Sequence, residues 1–352
     1  MRLLDNDLYR EDVERVANSP LNWELFHDST VVLSGASGMI GSFLVDVLMA
    51  RNIGNGMNCT VHALARDFVT LSQRFEPYSG HTNLVLMSAD VSVDELPFDR
   101  VDYVIHAASN THPVAYAQDP VGTIMTNVQG THAMMSLAHR ANARRAVFLS
   151  TVEIYGENRG DAEKFVESDM GYIDCNTVRA GYPESKRTGE ALCQAFRDKY
   201  AVDVVIVRLP RVFGPTVRPD DTKAMSQFLL KAVEGEDIVL KSDGNQHYSY
   251  CHVADAVAAM LLCLGSGRSG EAYNVAHPSC DVRLRDLAQL VAATAGKHVV
   301  FELPGEVEAR GFSKATLAVM DGEKIAGLGW KPMFDMSQGV ERTVAVLKEL
   351  AA

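Results

Sequence analysis

Residues Thr30-Val31-Val32-Leu33-Ser34-Gly35-Ala36-Ser37-Gly38-Met39-Ile40-Gly41 decide the fold. Thr30 to Ser34 reads as a short buried strand. Gly-x-x-Gly-x-x-Gly follows at Gly35, Gly38 and Gly41. From Ser42 to Arg51 the apolar residues Phe43, Leu44, Val47 and Leu48 recur at helical spacing. Strand, glycine turn and helix in that order form a dinucleotide-binding unit. The first glycine permits a tight turn, the second lets backbone approach a pyrophosphate, and the third lets helix and strand pack closely. The helix amino terminus adds unpaired N–H groups and a partial positive charge.

Working outward, strand-like runs recur at Thr60–Ala65, Leu84–Met87, Val101–Ile105, Ala146–Ser150 and Val204–Val207, with helical stretches at Pro120–Asn142 and Tyr182–Tyr200. Apolar strands alternating with helices imply an α/β fold, a Rossmann-type doubly wound parallel sheet covered on both faces. After Gly214 the rhythm breaks into shorter pieces: helices at Thr222–Glu234, Val253–Leu264 and Leu284–Ala295, strands at Asp237–Leu240 and Glu271–Val275. The expected organisation is a helical extension over 1–29, a dinucleotide-binding domain over 30–214, and a smaller substrate-binding lobe over 215–352 whose chain crosses back to the first domain in places.

Composition bounds the function. The chain has 352 residues and a formal net charge of -12, which argues against nucleic-acid binding, since phosphate neutralisation needs a basic surface. The six cysteines are scattered with no Cys-x-x-Cys pair, as expected of reduced thiols. Met1 to Arg15 has mixed charges and no apolar block, and the longest apolar run, Ala256 to Leu264, is too short to span a bilayer. A soluble cytoplasmic protein is the expectation. His106, His112 and His132 lack metal-site spacing, so no metal is expected.

Two further stretches carry chemistry. The second strand ends Ala63-Leu64-Ala65-Arg66-Asp67. An acid at position 65 would hold the ribose 2′-hydroxyl of NAD; alanine stands there, and Arg66 next to it suits a 2′-phosphate, so the cofactor is NAD or NADP with a lean to NADP. Tyr182-Pro183-Glu184-Ser185-Lys186 places Tyr182 and Lys186 on one helix face. A nearby ammonium and an oxidised nicotinamide would favour the phenolate and lower the phenol's pKa. Thr151 follows a strand that ends at Ser150, at the carboxyl edge where ligands bind in open α/β sheets, and its hydroxyl can reach a substrate oxygen beside Tyr182.

In combination these residues resemble extended short-chain dehydrogenases/reductases of the sugar-nucleotide NAD(P)-dependent epimerase/dehydratase family, with a UDP-glucuronate decarboxylase-like subgroup as one branch they fit. The similarity runs in order through Ser34 to Gly41, Ser88-Ala89-Asp90-Val91, His106-Ala107-Ala108-Ser109, Asn127 to Thr131, Thr151, Tyr182, Lys186, Arg208 to Pro215, Tyr250 to Val257, Tyr273-Asn274-Val275 and Leu328 to Pro332. The resemblance and the glycine turn together assign a tightly bound cofactor to Gly35, Ser37, Gly38, Met39, Ile40, Arg66, Asp90, Val91, Ala107, Ala108, Ser109, Asn127, Pro210 and Val212, with Tyr182 and Lys186 shared. The implied substrate is a nucleotide-diphosphate sugar, met by Asn110, Arg211, Arg218 and Tyr248. The helices at Pro120–Asn142 and Tyr182–Tyr200 are the implied homodimer interface.

The implied first step is shared across the family: Tyr182 takes a proton from a sugar hydroxyl, usually at C4, while hydride leaves. The residues after Thr151 bear on the fate of the resulting ketone. Dehydratases resemble Thr-Asp-Glu, because elimination needs an acid and a base. Here Val152 replaces the Asp and Glu153 stands alone, which disfavours dehydration; decarboxylases resemble Thr-Ser-Glu, which keeps Thr151 and Glu153. A second departure falls in Gly244-Asn245-Gln246-His247-Tyr248, where Tyr248 occupies the position at which the family has a diphosphate-binding arginine; Arg211, itself in place of an asparagine, and Arg218 are replacements. Epimerisation through a 4-keto sugar leads these readings, decarboxylation comes second, and dehydration or simple reduction third. From a different class comes a non-catalytic cofactor-sensing regulator.

Overall fold

The structure, a computed structural model, describes residues 2–111, 113–302 and 315–352. Numbered along the chain, the elements are α1 (Asp7–Ala17), β1 (Thr30–Ser34), α2 (Met39–Asn55), β2 (Thr60–Ala65), α3 (Phe68–Arg74), β3 (Leu84–Ser88), β4 (Tyr103–His106), α4 (Pro113–Gln118), α5 (Pro120–Arg140), β5 (Arg145–Thr151), α6 (Gly181–Tyr200), β6 (Val204–Leu209), β7 (Arg211–Phe213), α7 (Ala224–Glu234), β8 (Ile238–Leu240), β9 (His247–His252), α8 (Val253–Ser266), β10 (Ala272–Asn274), β11 (Asp281–Arg283), α9 (Leu284–Ala295), β12 (Val299–Phe301) and β13 (Leu317–Ala318). A short helix at Glu323–Ala326 and a C-terminal helix at Met336–Ala351 complete the chain.

Seven parallel strands lie in the order β10-β6-β5-β4-β1-β2-β3. Residues two apart in a strand point to one face, so the uniformly apolar strands feed two layers. Val31, Leu33, Ile105, Val147 and Val205 pack with α1, α2 and α8, whereas Val32, Val104, Phe148 and Ile206 pack with Met134, Met135 and Phe196 of α5 and α6. Each such buried side chain is worth about 1.5–3 kcal/mol of removed apolar surface.

β10 joins the large sheet beside β6, and α8 packs on α2, so part of the C-terminal half belongs to the first layer system. The remainder forms a mixed four-stranded sheet of β7, β9, β11 and β13 and a separate β8–β12 pair, with a core of α7, α9 and the C-terminal helix.

Two local differences from the sequence reading have plain causes. α2 begins at Met39, three residues early, because Gly38 adopts extended backbone as its N-cap. β9 escaped notice because His-Tyr-Ser-Tyr-Cys-His looks polar, yet it is buried: Ser249 Oγ donates to Asp281, and His252 caps α8 through Nδ1 while its Nε2 is buried without a partner.

Candidate active site

The sheet order reverses between β1 and β4, and the crevice at their carboxyl ends is where α/β folds bind ligands. The turns after the two strands are pressed together. Gly35 has φ +73°, and a Cβ there would lie 2.7 Å from the Ala108 nitrogen; one on Gly41 would lie 2.3 Å from the Gly35 carbonyl oxygen. Gly38 offers no side-chain cap, which leaves the first N–H groups of α2 for a ligand. A cavity of about 480 Å³ runs along this edge. Its wall contains Gly35, Ser37, Gly38, Met39, Ile40, Arg66, Asp90, Val91, Ala107, Ala108, Ser109, Pro210 and Val212, together with Thr151, Tyr182 and Lys186. Gly35 and Gly41 let backbone pack on backbone at this turn, and the uncapped start of α2 at Gly38 leaves bare N–H groups that fit a pyrophosphate.

Asn127 is placed differently from the sequence reading. It is 1% exposed and stands behind the wall, accepting from Ser109 Oγ at 2.7 Å and donating to Ser185 Oγ at 2.8 Å. Ser185 Oγ donates in turn to the Tyr182 carbonyl, so Asn127 ties the cofactor turn to the first turn of α6. At the far end, Arg66 donates to Asn110 Oδ1 at 3.2 Å, which sets Asn110 beside Arg66 on the cofactor wall. Asp67 caps α3 through the Val69 and Thr70 N–H groups.

β5 delivers Thr151 and α6 delivers Tyr182 and Lys186. Lys186 is 3% exposed and donates to the Leu149 carbonyl at 2.9 Å; burial pulls its ammonium down to about 8. In the protein alone the Tyr182 phenol is shifted upward. Burial raises its pKa and the Glu153 carboxylate adds to the rise, outweighing the opposing pull of the Thr151 hydroxyl, Arg179 and Tyr116. Without a bound oxidised nicotinamide, Tyr182 is therefore a neutral phenol at ordinary pH.

Two residues the sequence reading missed complete this end. Arg179, in a 3-10 turn at Val178–Ala180, forms an ion pair with Glu153, which sits in another 3-10 turn at Val152–Tyr155. The remaining Arg179 nitrogens, Nε and Nη1, are buried without a partner. Tyr116 of α4 stacks on Tyr182 with centroids 4.7 Å apart, and the Arg179 guanidinium lies 4.8 Å from the Tyr116 centroid. An arginine three residues before Tyr182 was a readable signal for the first; nothing local marked the second. Val152 is buried, so Glu153 has no acidic neighbour in the turn.

A second cavity of about 260 Å³ adjoins the first and shares Tyr116, Glu153, Arg211, Val212 and Lys223 with it. Met225, Phe228, Leu240, Gln246, Tyr248 and Leu284 line its outer part. Arg211 and Tyr248 thus both reach this wall. Arg218 does not: it lies on the cofactor cavity, where its exposed guanidinium meets the Asp220 carboxylate through two contacts of 2.9 Å. His106 bonds Ser34 Oγ at 2.8 Å, with burial lowering its pKa to about 3, and His132 packs on Phe196. His112 lies outside the described residues. All six cysteines are unpaired, and no helix among the described residues is long and apolar enough to cross a membrane.

Residues 31–276 match the family described as the NAD dependent epimerase/dehydratase family. UDP-glucuronic acid decarboxylase 1 of Xenopus tropicalis is 30% identical over 319 residues, covering 89% of this chain and 71% of the relative. UDP-glucuronic acid decarboxylase 6 of Arabidopsis thaliana is 30% identical over 331 residues, covering 92% and 90% respectively. Among solved structures, a dTDP-glucose 4,6-dehydratase of Streptomyces venezuelae with NAD bound superposes with a TM-score of 0.78 at 25% identity, covering 91% of this chain and 97% of that one. A glycine cradle at the sheet's switch point, a Thr-Tyr-Lys group facing it, and a match running through most of the sequence place this chain in the NAD-dependent epimerase/dehydratase family of enzymes.

Proposed function

We propose that the enzyme oxidises the sugar of a nucleotide-diphosphate sugar at C4 to a transient ketone, and that its main outcome is decarboxylation of a hexuronate, with C4 epimerisation second. The observation that carries this is that the turn after Thr151 holds one acid, Glu153, with Val152 in place of a second. Thr151 and Tyr182 face a cavity where, among the described residues, the acid next to them is Glu153, and it is committed to Arg179. Losing carbon dioxide from C5 needs no base to take a proton from carbon: the C5–carboxylate bond breaks, its electrons pass into the C4 carbonyl, and C5 later takes up a proton. Elimination of a C6 hydroxyl needs an acid and a base acting together, and Val152 stands where one of them would be. The relatives at about 30% identity carry the decarboxylase name, which moves that reading ahead of the epimerase that the residues alone put first. Epimerisation stays second because a ketone with nothing to lose is reduced again.

Within this reading Tyr182 takes the C4 hydroxyl proton, Thr151 orients that oxygen, and buried Lys186 favours the phenolate by its charge. A bound nicotinamide supplies the hydride acceptor and donor. The second cavity, with Phe228 and Leu240 on its wall, takes the nucleotide base. Ala65 in place of an acid, Arg66 beside it and Asp67 spent as a cap support NADP for this chain. Exposed Val121, Ile124 and Met125 on α5 support a homodimer through α5 and α6, which light scattering would refute by a monomeric mass.

The test is mass spectrometry after incubation with UDP-, dTDP- and GDP-sugars, UDP-glucuronic acid included, with NAD and NADP in separate arms. Loss of carbon dioxide from the uronate is the expected result, and a new isomer of unchanged mass moves epimerisation to the front. Absence of any conversion in both arms counts against turnover of these sugars and brings the non-catalytic cofactor-sensing reading forward.

A further inference from the structure

We infer that Arg211 is the diphosphate-binding cation of this enzyme, and that the Tyr248 ring is the platform that aims it; this rests on the nucleotide-sugar reading above. Arg211 stands where the two cavities meet and lines both. If the sugar lies at Tyr182 and the base in the outer cavity, the diphosphate joining them passes this neck. Of the other cations on the outer wall, Lys223 pairs with Asp221, Lys231 with Glu236, and Lys241 is engaged as well. Arg179 pairs with Glu153 and keeps two buried nitrogens unpartnered, but it lines the outer cavity alone and not the neck where the two cavities meet. Among the described residues no carboxylate pairs with Arg211, and its Nη1 is buried without a hydrogen-bond partner. A half-buried guanidinium left in that state is costly unless an anion completes it.

Its orientation is fixed without using its donors. The Arg211 Cζ lies 3.5 Å from the centroid of the Tyr248 ring, and the Tyr248 hydroxyl is tied to the Ala315 carbonyl at 2.7 Å. Stacking occupies the flat face of a guanidinium and leaves its edge N–H groups free for two-pronged hydrogen bonds to phosphate oxygens. β7, which carries Arg211, pairs with β9, which carries Tyr248. The two positions are therefore neighbours in one sheet, and a cation placed on either strand can serve the same neck.

The test is calorimetric titration of the cofactor-loaded protein with UDP, dTDP and GDP, and with the corresponding nucleosides. At least one diphosphate is expected to bind about tenfold or more tightly than its nucleoside. Arg211→Asn should weaken that diphosphate by about 10- to 100-fold and leave the nucleoside nearly unchanged, the size of a lost charged hydrogen-bond pair. Moving the cation back, in Arg211→Asn/Tyr248→Arg, should restore the diphosphate preference. Tyr248→Phe should keep it and Tyr248→Leu should lose it, with thermal melting and cofactor affinity showing that each variant is folded. If Tyr248→Leu does not fold, the Arg211→Asn variant and the relocated cation decide alone. An unchanged ratio of diphosphate to nucleoside affinity in Arg211→Asn, or no recovery in the double variant, overturns the inference and leaves the nucleotide-sugar reading standing. A wild-type protein that binds its cofactor but no diphosphate brings down both.

Discussion

The two cavities are built from different materials. The cofactor cradle is mostly backbone: glycine turns, strand ends and the open start of α2, with a Cβ excluded at Gly35 and Gly41. The substrate side is mostly long side chains braced against one another: Arg179 on Glu153 and Tyr116, Tyr116 on Tyr182, Arg211 on Tyr248. A backbone site tolerates no change in shape, because its contacts come from atoms every residue shares. A braced site can exchange partners while keeping its charge, as a tyrosine and an arginine in neighbouring strands illustrate. Family membership is therefore visible in the first region and reaction specificity hidden in the second.

The sharpest way to break this comparison is Tyr182→Phe. Turnover should fall by about 10²- to 10⁴-fold, the worth of a positioned acid–base group, while NAD(P)H affinity measured by fluorescence stays within about twofold. Turnover that survives the substitution would mean that a group other than Tyr182 takes the proton, whereas a biological activity of the protein left unchanged while turnover is lost would bring forward the non-catalytic regulator. Next in size is Gly35→Ala. A Cβ at φ +73° and 2.7 Å from the Ala108 nitrogen forces two backbone segments apart, a strain of about 1–3 kcal/mol. Cofactor affinity should drop by about tenfold or more, and wild-type affinity would show that the cradle is not shaped by backbone contact.

The smallest effect sharpens the picture of the braced side. Burial and the Glu153 carboxylate raise the Tyr182 pKa, so the base form gains population as pH rises and the activity limb lies on the alkaline side. Glu153→Gln removes a negative charge near the phenol and leaves Arg179 uncompensated, and both changes favour phenolate. The limb of kcat/KM against pH should move to lower pH. A limb that stays in place, or moves up, would mean that Glu153 does not act on Tyr182 through charge.

The same division decides what could be read without coordinates. Gly35 to Gly41, the buried strands, and the Tyr182–Lys186 spacing are local patterns with a fixed period, and the structure places them on one cavity edge. Arg179 and Tyr116 come from a 3-10 turn and a six-residue helix, where no period exists; only the place of Arg179 three residues before Tyr182 hinted at it, and the significance of Tyr116 arises from packing alone. The direction of the Tyr182 shift was likewise out of reach, because it depends on how deeply the ring is buried. Arg218 looked as suitable as Arg211 in one dimension, and only the fold separates a guanidinium held by Asp220 from one with free donors.

The position of β10 bears on how the molecule is made. Its three residues close the edge of the large sheet beside β6, and Asn274 at its end accepts from the Tyr155 hydroxyl at 2.6 Å and donates to the Phe165 carbonyl at 2.9 Å. A ribosome has therefore synthesised more than three quarters of the chain, including much of the second lobe, before the first lobe can finish its sheet. Until then β6 is an open edge able to pair with another chain, and the loop from Tyr155 to Phe165 beside the catalytic turn lacks its anchor. Vectorial synthesis thus makes this outer edge of the sheet, and the loop that Asn274 anchors, among the last parts of the first lobe to set.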